Sequence, residues 1–593
     1  MKRTLFIVMY IFVFVQSSIG QDLNWAKNIG SVYGSSKTTD VAVDSNGNIY
    51  AVGIFSGNED FEPGPGTTFL NSEAADKGNY FCVKYSSSGQ FIWARQTGGS
   101  SGFSSIVPEY YEPKIQISND IIFIAGVFAP TVDFDPSPSV YLVPNPDGEL
   151  TRSFISTYTT SGDLGWVKAI EDAHSLTIQN LATDSQHNIL IAGGTLAPAD
   201  LDPSLSSSLI STGTPNRYHS YILKLSSSGE FIWAKEFDNP TTVEFSHFDY
   251  PYGLATDLQD NVLISGSYEG TLDFDPSDNE NSVTSNNNSI DIYLVKLNSD
   301  GELQWAHSIG SNSTVTSADR DEGHSVATDN LGNIYLGGTF TKTIDMDPSP
   351  STASTLTTYS GAIYVAKYTP DGDFVFTKGI ECMNNIGIGL SERVYDINVD
   401  DQGSLFFTGT YLTSMDCDPD GGVAIITANG GNAEMFFISY SSENGQFQWA
   451  KSIGGTAADF GRRIAVSNIN NAVVVVGAFQ GESVNFDYPD SYLVAGSSGQ
   501  QNGFLVNYNT SSLNIDHHIL ETSIVVYPNP ATDYLNIVTN TNLHSVLLYD
   551  ITGKQINCRI DGTILDVSQL SKGIYLLKLL TDNDFKFIKF IKS

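Results

Sequence analysis

Pairs of aspartates recur along this 593-residue chain in an Asp-x-Asp-Pro element. Carboxylates two positions apart in an extended chain point to the same side and can share a cation. Ca²⁺, which takes about six to eight oxygen ligands, is the one cofactor that this pattern suggests, with backbone carbonyls and water completing its shell. In the alternative, which we prefer, the first aspartate caps its own turn and the proline ends the strand. The complete copies are Asp133/Asp135, Asp200/Asp202, Asp273/Asp275, Asp345/Asp347 and Asp416/Asp418, and degenerate copies begin at Asp60 and Asn485.

Two of the four cysteines lie in neighbouring parts of the sequence pattern. Cys382 follows the last strand of one repeat, and Cys417 lies in the long loop of the next. In an exported protein such a pair can form a disulfide. Two separate thiols are the alternative, and the sequence leaves both open.

Residue types used in catalysis form no motif that we can assign. The nine histidines do not cluster, and neither His-Glu-x-x-His nor Gly-x-Ser-x-Gly occurs. One irregular insertion combines Glu244, His247, Asp249 and Tyr250. We interpret it as a solvated loop and assign no catalytic residue.

Two further markers recur with the acidic element and indicate a repeat of about 70 residues. One aromatic residue per repeat, in one position, is what packing between repeats needs; sugar-stacking platforms are the less favoured alternative. A glycine also ends a β-type run six to eight residues before each acidic element. The aromatic residues are Trp25, Trp93, Trp166, Trp233, Trp305, Phe376 and Trp449, and the glycines are Gly53, Gly126, Gly194, Gly266, Gly338, Gly409 and Gly477.

Each repeat is predicted to form four short strands, labelled a to d. In the clearest copy, strand b spans residues 334–340 and strand c spans 362–368, and strand c alternates in polarity. Seven repeats of four strands predict an all-β, seven-bladed β-propeller over residues 21–509. The last repeat lacks strand d, so residues 22–30 are predicted to pair with residues 503–509 and close the ring. Loops b–c would then present the acidic elements as a ring on one face.

The two ends of the chain differ from the repeats. Residues 1–20 read as a signal peptide, with Lys2 and Arg3, then an apolar run too short to span a membrane, then small residues. Residues 510–522 form a polar linker. Residues 523–593 contain short β-type runs separated by turns and predict a small β-sandwich.

The motifs of residues 523–593 include Pro528, Asn529, Pro530, Gly553, Gly573, Tyr575, Lys586 and Lys589. In these motifs the tail resembles the C-terminal sorting domain of type IX secretion in Bacteroidetes, the Por secretion tail of type A. The resemblance implies export across the outer membrane, with the secretion machinery as a partner. Through segments such as Gly126–Pro136, Lys84–Gly89 and Phe447–Gly455, residues 22–509 resemble the seven-bladed propeller repeats common in secreted bacterial proteins.

Charge limits the function further. The formal net charge is −37, and it argues against a nucleic-acid partner. We expect an extracellular or surface-displayed monomer without a transmembrane segment, which acts as a binding or adhesion scaffold for a glycan or protein. The alternative is an extracellular hydrolase or lyase acting on polysaccharide.

Overall fold

The computed structural model describes residues 22–592, and its regular elements there are all β-strands. The chain divides into two compact units, Met1–Ser511 and Ser512–Ser593. The predicted signal peptide and most of the predicted linker lie outside the described residues. Within 22–592 the description omits residues 31–33, 64, 73–77, 101–110, 129–130, 145–151, 171–175, 196–198, 205–208, 211–218, 238–248, 278, 287–288, 312–319, 360, 384–391, 429–431, 456, 488–492, 497–499, 511–524, 528–530, 539–542, 551–553, 562 and 582–584.

The first unit begins with one separate strand and then four repeats. The separate strand is β1 (Asp22–Ile29). The first repeat has β2 (Ser35–Val43), β3 (Ile49–Ser56), β4 (Asn58–Asp60), β5 (Phe69–Asn71), β6 (Asn79–Tyr85) and β7 (Phe91–Ser100). The second has β8 (Lys114–Ser118), β9 (Ile121–Phe128), β10 (Val132–Asp133), β11 (Leu142–Val143), β12 (Arg152–Thr159) and β13 (Leu164–Ile170). The third has β14 (Asn180–Thr183), β15 (Ile189–Thr195), β16 (Ala199–Asp200), β17 (Leu209–Ile210), β18 (His219–Leu225) and β19 (Phe231–Glu236). The fourth has β20 (Tyr250–Thr256), β21 (Val262–Glu269), β22 (Thr271–Asp273), β23 (Ser282–Thr284), β24 (Ile290–Leu297) and β25 (Leu303–Ile309).

Three further repeats complete the first unit. The fifth has β26 (Glu322–Thr328), β27 (Ile334–Phe340), β28 (Thr343–Asp345), β29 (Thr355–Thr357), β30 (Ala362–Tyr368), β31 (Phe374–Ile380) and β32 (Cys382–Met383). The sixth has β33 (Arg393–Val399), β34 (Ser404–Tyr411), β35 (Ser414–Asp416), β36 (Ile425–Thr427), β37 (Glu434–Ser441) and β38 (Phe447–Ile453). The seventh has β39 (Asp459–Ser467), β40 (Ala472–Gln480), β41 (Ser483–Asn485), β42 (Leu493–Ala495) and β43 (Gln501–Asn509).

The long strands of each repeat form one four-stranded antiparallel sheet, which is one blade. The innermost strands β2, β8, β14, β20, β26, β33 and β39 contact one another in that order, and β39 contacts β2 again. They therefore surround a central channel. Each blade buries its b and c strands almost completely, as in Ile334–Phe340, because blades cover both faces of their neighbours. The all-β propeller prediction is confirmed.

The ring is closed by its first strand. Strand β1 pairs antiparallel with β43, and Ile29 lies opposite Gly503 while Leu23 lies opposite Tyr508. The sheet order of the last blade is β1, β43, β40, β39, so the N-terminal strand takes the outer position. The predicted closure by residues 22–30 is confirmed. Without β1, the edge of β43 would be an unpaired strand edge.

The repeated tryptophans join neighbouring blades. Five of the six indole Nε1 groups donate a hydrogen bond to a carbonyl of the c–d turn in the next blade, at 3.2 Å from Trp93 to Thr160 and 3.1 Å from Trp233 to Ser299. The same carbonyls accept a strand-c lysine, Lys84 for Thr160 and Lys224 for Ser299. The packing role predicted for the tryptophans is therefore confirmed. The corresponding bonds of the other blades run from Trp25 to Ser87, Trp166 to Ser227 and Trp305 to Pro370.

Trp449 breaks this pattern because of the ring closure. Its side chain is buried, and its Nε1 has no hydrogen-bond acceptor among the residues that the structure describes. The next blade is the last one, whose strand d comes from the N-terminus, so no c–d turn exists there to offer a carbonyl. The seam of the ring thus leaves one buried donor unsatisfied.

This difference predicts unequal effects of one substitution at two equivalent positions. We expect Trp233→Phe to lower the free energy of unfolding by about 1 kcal/mol more than Trp449→Phe, because only Trp233 loses a hydrogen bond. The two variants lose the same ring volume, so each controls for the other. Urea unfolding followed by fluorescence measures both. Equal losses would mean that the indole bonds contribute nothing.

The second unit is a small β-sandwich, as predicted. Its strands are β44 (Val525–Tyr527), β45 (Tyr534–Val538), β46 (Leu543–Asp550), β47 (Gln555–Ile556), β48 (Ile560–Asp561), β49 (Ile564–Asp566), β50 (Gly573–Thr581) and β51 (Phe585–Lys592). They form two four-stranded sheets, and Leu535 and Leu565 of one share a core with Leu548 and Leu577 of the other. Among the described residues, no helix is both long enough and apolar enough to cross a bilayer.

Candidate functional site at the channel mouth

The aspartate pairs hold turns. Asp345 Oδ1 accepts the backbone N–H of Asp347 at 3.1 Å and that of Ser354 at 2.8 Å. Asp347 Oδ1 accepts the N–H of Ser349 at 2.9 Å. These are the bonds that the capping interpretation predicts. Asp133, Asp273 and Asp416 likewise accept two backbone N–H groups each, Asp200 accepts that of Asp202, and Asp135, Asp202, Asp275 and Asp418 each accept that of the residue two positions on.

The residue between the two aspartates fills the blade core. Phe134, Phe274 and Met346 are fully buried there. In most blades the last tyrosine of strand c donates its hydroxyl to the carbonyl of this central residue, as from Tyr368 to Met346 at 2.9 Å. The acidic element therefore anchors the b–c loop to its blade.

The predicted ring of acidic loops on one face stays a prediction, and the structure places several of these loops beside the outer strands. Ile344 bridges to Ser311, and β35 pairs with β32 after the outer strand of the preceding blade. Asp487 accepts Lys451 of the preceding outer strand at 2.8 Å. The hairpins fold back because their central apolar residue and their ion pairs are satisfied at the periphery. The aspartates thus lie at the outer edge of the propeller.

The calcium interpretation stays a prediction that a substitution pair can separate from capping. No group of three or more His, Cys, Asp or Glu side chains in the described part of the chain is placed to hold a metal. We expect Asp345→Asn to keep the cap through its amide oxygen and Asp345→Ala to cost about 1–2 kcal/mol. EDTA should leave the melting temperature unchanged. A Ca²⁺-dependent melt that Asp345→Asn abolishes would establish the metal site instead.

The cysteine pair is described on one side only. Cys417 occupies the central, buried position of its acidic element, and its thiol lies 3.8 Å from the Met415 carbonyl. Cys382 pairs through its backbone with Met415, and its side chain lies outside the described residues. The disulfide stays a prediction.

In five of the seven blades, a β-bulge in the innermost strand brings one residue to the channel. Strand a skips one residue of its pairing with strand b in five blades, between Gly323 and Ser325 for example. The extra residue is Thr39, Tyr252, His324, Tyr395 or Arg462. Bulges of this kind re-aim a side chain and are common beside functional sites.

In the five blades with this bulge, a carbonyl of strand a lies against the repeated glycine of strand b. A Cβ on Gly338 would lie 1.9 Å from the Glu322 carbonyl, and one on Gly409 would lie 1.8 Å from that of Arg393. No side chain fits at such distances. In the third blade the residue in close approach is Gly193, beside the Thr177 carbonyl, and not the predicted Gly194.

The bulged residues line a cavity of about 320 Å³ at one mouth of the channel. All seven blades contribute, since Glu112 and Gln179 come from the second and third blades. Four of the seven arginines between residues 21 and 522 converge here, together with Lys114. Five basic side chains and one carboxylate give the lining a formal charge of +4, inside a segment that carries −40 (20 basic and 60 acidic residues). The arginines are Arg320, Arg393, Arg462 and Arg463.

Aromatic rings hold two of these arginines. The Arg393 guanidinium lies 5.0 Å and that of Arg462 4.6 Å from the centre of the Tyr395 ring. Tyr252 stacks on Tyr250 with ring centres 5.9 Å apart and meets the edge of His324 at 5.2 Å. Such cation–π contacts fix a guanidinium without neutralising it.

His324 contacts Arg393, and two buried aspartates contact Arg463. His324 Nδ1 lies 3.4 Å from Arg393 Nη2, and its Nε2 lies 3.4 Å from Glu322. Arg463 lies 3.6 Å from Asp396 and 3.9 Å from Asp40. Burial raises the pKa of Asp40 and of Asp396, and the Arg463 guanidinium opposes that rise. Protonation of either aspartate would leave the mouth more positive.

Part of the polar insertion that contains Glu244, His247, Asp249 and Tyr250 belongs to this site. Tyr250 lines the cavity, and Asp249 is buried beside it in the chain. Glu244 and His247 lie outside the described residues. The interpretation of this cluster as a solvated loop is therefore wrong for Tyr250, because β20 carries its ring into the mouth.

A sequence signal for the lining existed in the repeat. The residue 14 positions before the strand-b glycine is Thr39, Glu112, Tyr252, His324 and Tyr395 in five blades, and Gln179 lies 14 before Gly193. In the last blade Arg462 lies 15 before Gly477. Every one of them lines the cavity. The residue type at this position differs from blade to blade, whereas the glycine and the other repeat markers recur.

Two family models match the chain. Residues 525–593 match the secretion system C-terminal sorting domain, and residues 304–339 match a β-propeller repeat. The chain thus carries a sorting domain behind a β-propeller. This sorting domain implies export by type IX secretion to the cell surface or beyond.

Of its predicted signal residues, Gly573 begins β50 and Tyr575 donates to the Ser571 carbonyl at 2.8 Å. Lys586 and Lys589 lie in β51, and Pro528, Asn529, Pro530 and Gly553 lie outside the described residues.

The relatives outside these models are distant. An uncharacterized WD repeat-containing protein of Acanthamoeba polyphaga mimivirus is 24% identical over 525 residues, which cover 78% of this chain and 36% of that protein. Among solved structures, the polysaccharide lyase Uly1 is 8% identical with a TM-score of 0.41, covering 82% of this chain and 99% of that one. A Dyadobacter fermentans protein of unknown function is 12% identical with a TM-score of 0.35, covering 83% and 100%. At these TM-scores the likenesses say nothing about activity.

Proposed function

We propose that the exported propeller is a binding protein whose ligand is anionic and enters the channel mouth. The observation that carries this proposal is the convergence of four of seven arginines on one cavity of a strongly acidic propeller. Clefts lined by charge of one sign concentrate ligands of the opposite sign. A volume of about 320 Å³ is at the lower end of ordinary ligand pockets, so the site takes a small group or a chain end.

The alternative function, cleavage of polysaccharide, is less well supported by the same residues. Both ring nitrogens of His324 face other protein groups, namely Arg393 and Glu322. A general base needs a nitrogen or oxygen that reaches the substrate. We therefore favour binding, and we assign His324 the role of positioning Arg393.

Binding of short anionic oligomers to the purified chain tests the proposal. We expect oligogalacturonate, oligoglutamate or both to bind in calorimetry, and neutral dextran not to bind. Replacing Arg393 and Arg462 together by Gln should weaken binding at least tenfold, whereas Arg152→Gln, in β12 away from the mouth, should not. Product release from any polysaccharide, measured on the same samples, would favour the enzymatic alternative. Equal binding by both variants would refute the channel mouth as the site.

A further inference from the structure

We infer that the ligand of the channel mouth is a carboxylated sugar at the end of an acidic polysaccharide. This inference rests on the proposed function and adds the ligand class. It comes from how the cationic, aromatic and polar groups are distributed among the blades.

The half-exposed part of the lining combines arginines with tyrosines. Arg320, Arg393 and Arg462 belong to the fifth, sixth and seventh blades, and Tyr250 and Tyr252 belong to the fourth. Guanidinium groups bind planar carboxylates through two parallel hydrogen bonds. The Tyr395 ring already holds Arg393 and Arg462 in place, so little side-chain entropy is lost when a carboxylate binds.

The tyrosine pair adds an apolar aromatic surface, which binding of an acidic peptide through its charges would not require. Tyr250 and Tyr252 stack at 25° to each other and form an apolar wall beside Arg393. Aromatic side chains combine a large apolar face with a polar hydroxyl tip. A sugar ring presents both matching features, a face of C–H groups and a rim of hydroxyls.

The lining from the first three blades is buried and polar. Thr39, Glu112 and Gln179 are each 8% exposed or less, and Lys114 lines the cavity from the second blade as well. Glu112 pairs with Lys37 at 2.5 Å. Carboxylate, hydroxyl and amide oxygens are acceptors for the hydroxyl groups of a sugar. The lining therefore combines cationic groups with hydroxyl-binding groups, and a uronic acid carries a carboxylate and hydroxyls on one ring.

Calorimetry with matched ligands tests the ligand class separately from the site. The purified chain is titrated with oligogalacturonate, its methyl ester, oligoglutamate of equal charge and a single-stranded oligonucleotide. We expect oligogalacturonate to bind at least tenfold more tightly than the other three. Equal affinity for oligoglutamate would mean that the site recognises only negative charge and not a sugar. Tighter binding of the oligonucleotide would identify a nucleic acid, and not a sugar, as the ligand class. Failure of every anion would refute the proposed function as well.

A variant of the tyrosine wall gives the second readout. Tyr250→Leu should weaken oligogalacturonate binding about tenfold, while any weak oligoglutamate binding stays unchanged. Tyr250→Phe, which keeps the ring, is the control and should bind like the natural chain. An equal loss for both ligands in Tyr250→Leu would contradict the sugar assignment, and unchanged melting temperatures would show that the variants fold.

Discussion

Deleting residues 22–29 is expected to unfold the propeller. This strand pairs with β43 over its length, and it buries Trp25 and Ile29 against the first and last blades. Loss of a buried tryptophan alone costs about 3–5 kcal/mol. Because typical proteins are stable by only about 5–15 kcal/mol, loss of the whole strand should consume most of the stability. Thermal unfolding by circular dichroism measures the effect.

The matched control begins at residue 21 and lacks only the predicted signal peptide. It should melt like the natural chain. A synthetic peptide of residues 22–30 added to the deleted chain should restore part of the lost stability, since the edge of β43 remains open. An unchanged melting temperature after deletion would mean that the propeller does not need the pairing of β1 with β43 for its stability.

Gly338→Ala is expected to damage stability and binding together. The added Cβ would meet the Glu322 carbonyl at 1.9 Å, so the bulge at His324 must move. Overpacking of a core costs about 1–3 kcal/mol, and a clash with backbone belongs at or above the upper end. Displacement of His324 releases Arg393, which faces it. Anion binding should therefore fall more than tenfold in the fraction that still folds.

Its neighbour supplies the control for this substitution. Gly337→Ala places a Cβ no closer than 3.2 Å to the Val394 side chain and leaves the bulge alone. We expect a cost below about 1 kcal/mol and unchanged binding. Both variants are compared by urea unfolding and by calorimetry. Equal effects at the two glycines would contradict the role assigned to the bulge.

The repeat made the fold readable from the sequence. Trp233 and its counterparts mark strand d, and the missing strand after residue 509 requires a partner from the N-terminus. Strand b at Ile334–Phe340 and strand c at Ala362–Tyr368 agree with their predicted bounds. These features depend on local pattern and on the count of strands, which sequence contains directly.

The site was not readable in the same way. Arg393 and Arg462 lie 69 positions apart and are joined by Tyr395 only after two blades pack. The strand-b glycines repeat in the sequence, but their cause is a carbonyl of another strand that the bulge brings close. Repeated residues such as Asp345 mark structural positions. The ligand-facing position is the one that changes from blade to blade.

Closure of the ring and export both depend on segments that lie late in the chain. The partner of the first strand lies at Gln501–Asn509, and the sorting domain follows at 525–593. A product cut before Gln501 lacks both the means to close and the address for export. We therefore expect chains cut before Gln501 to lose export together with closure of the ring.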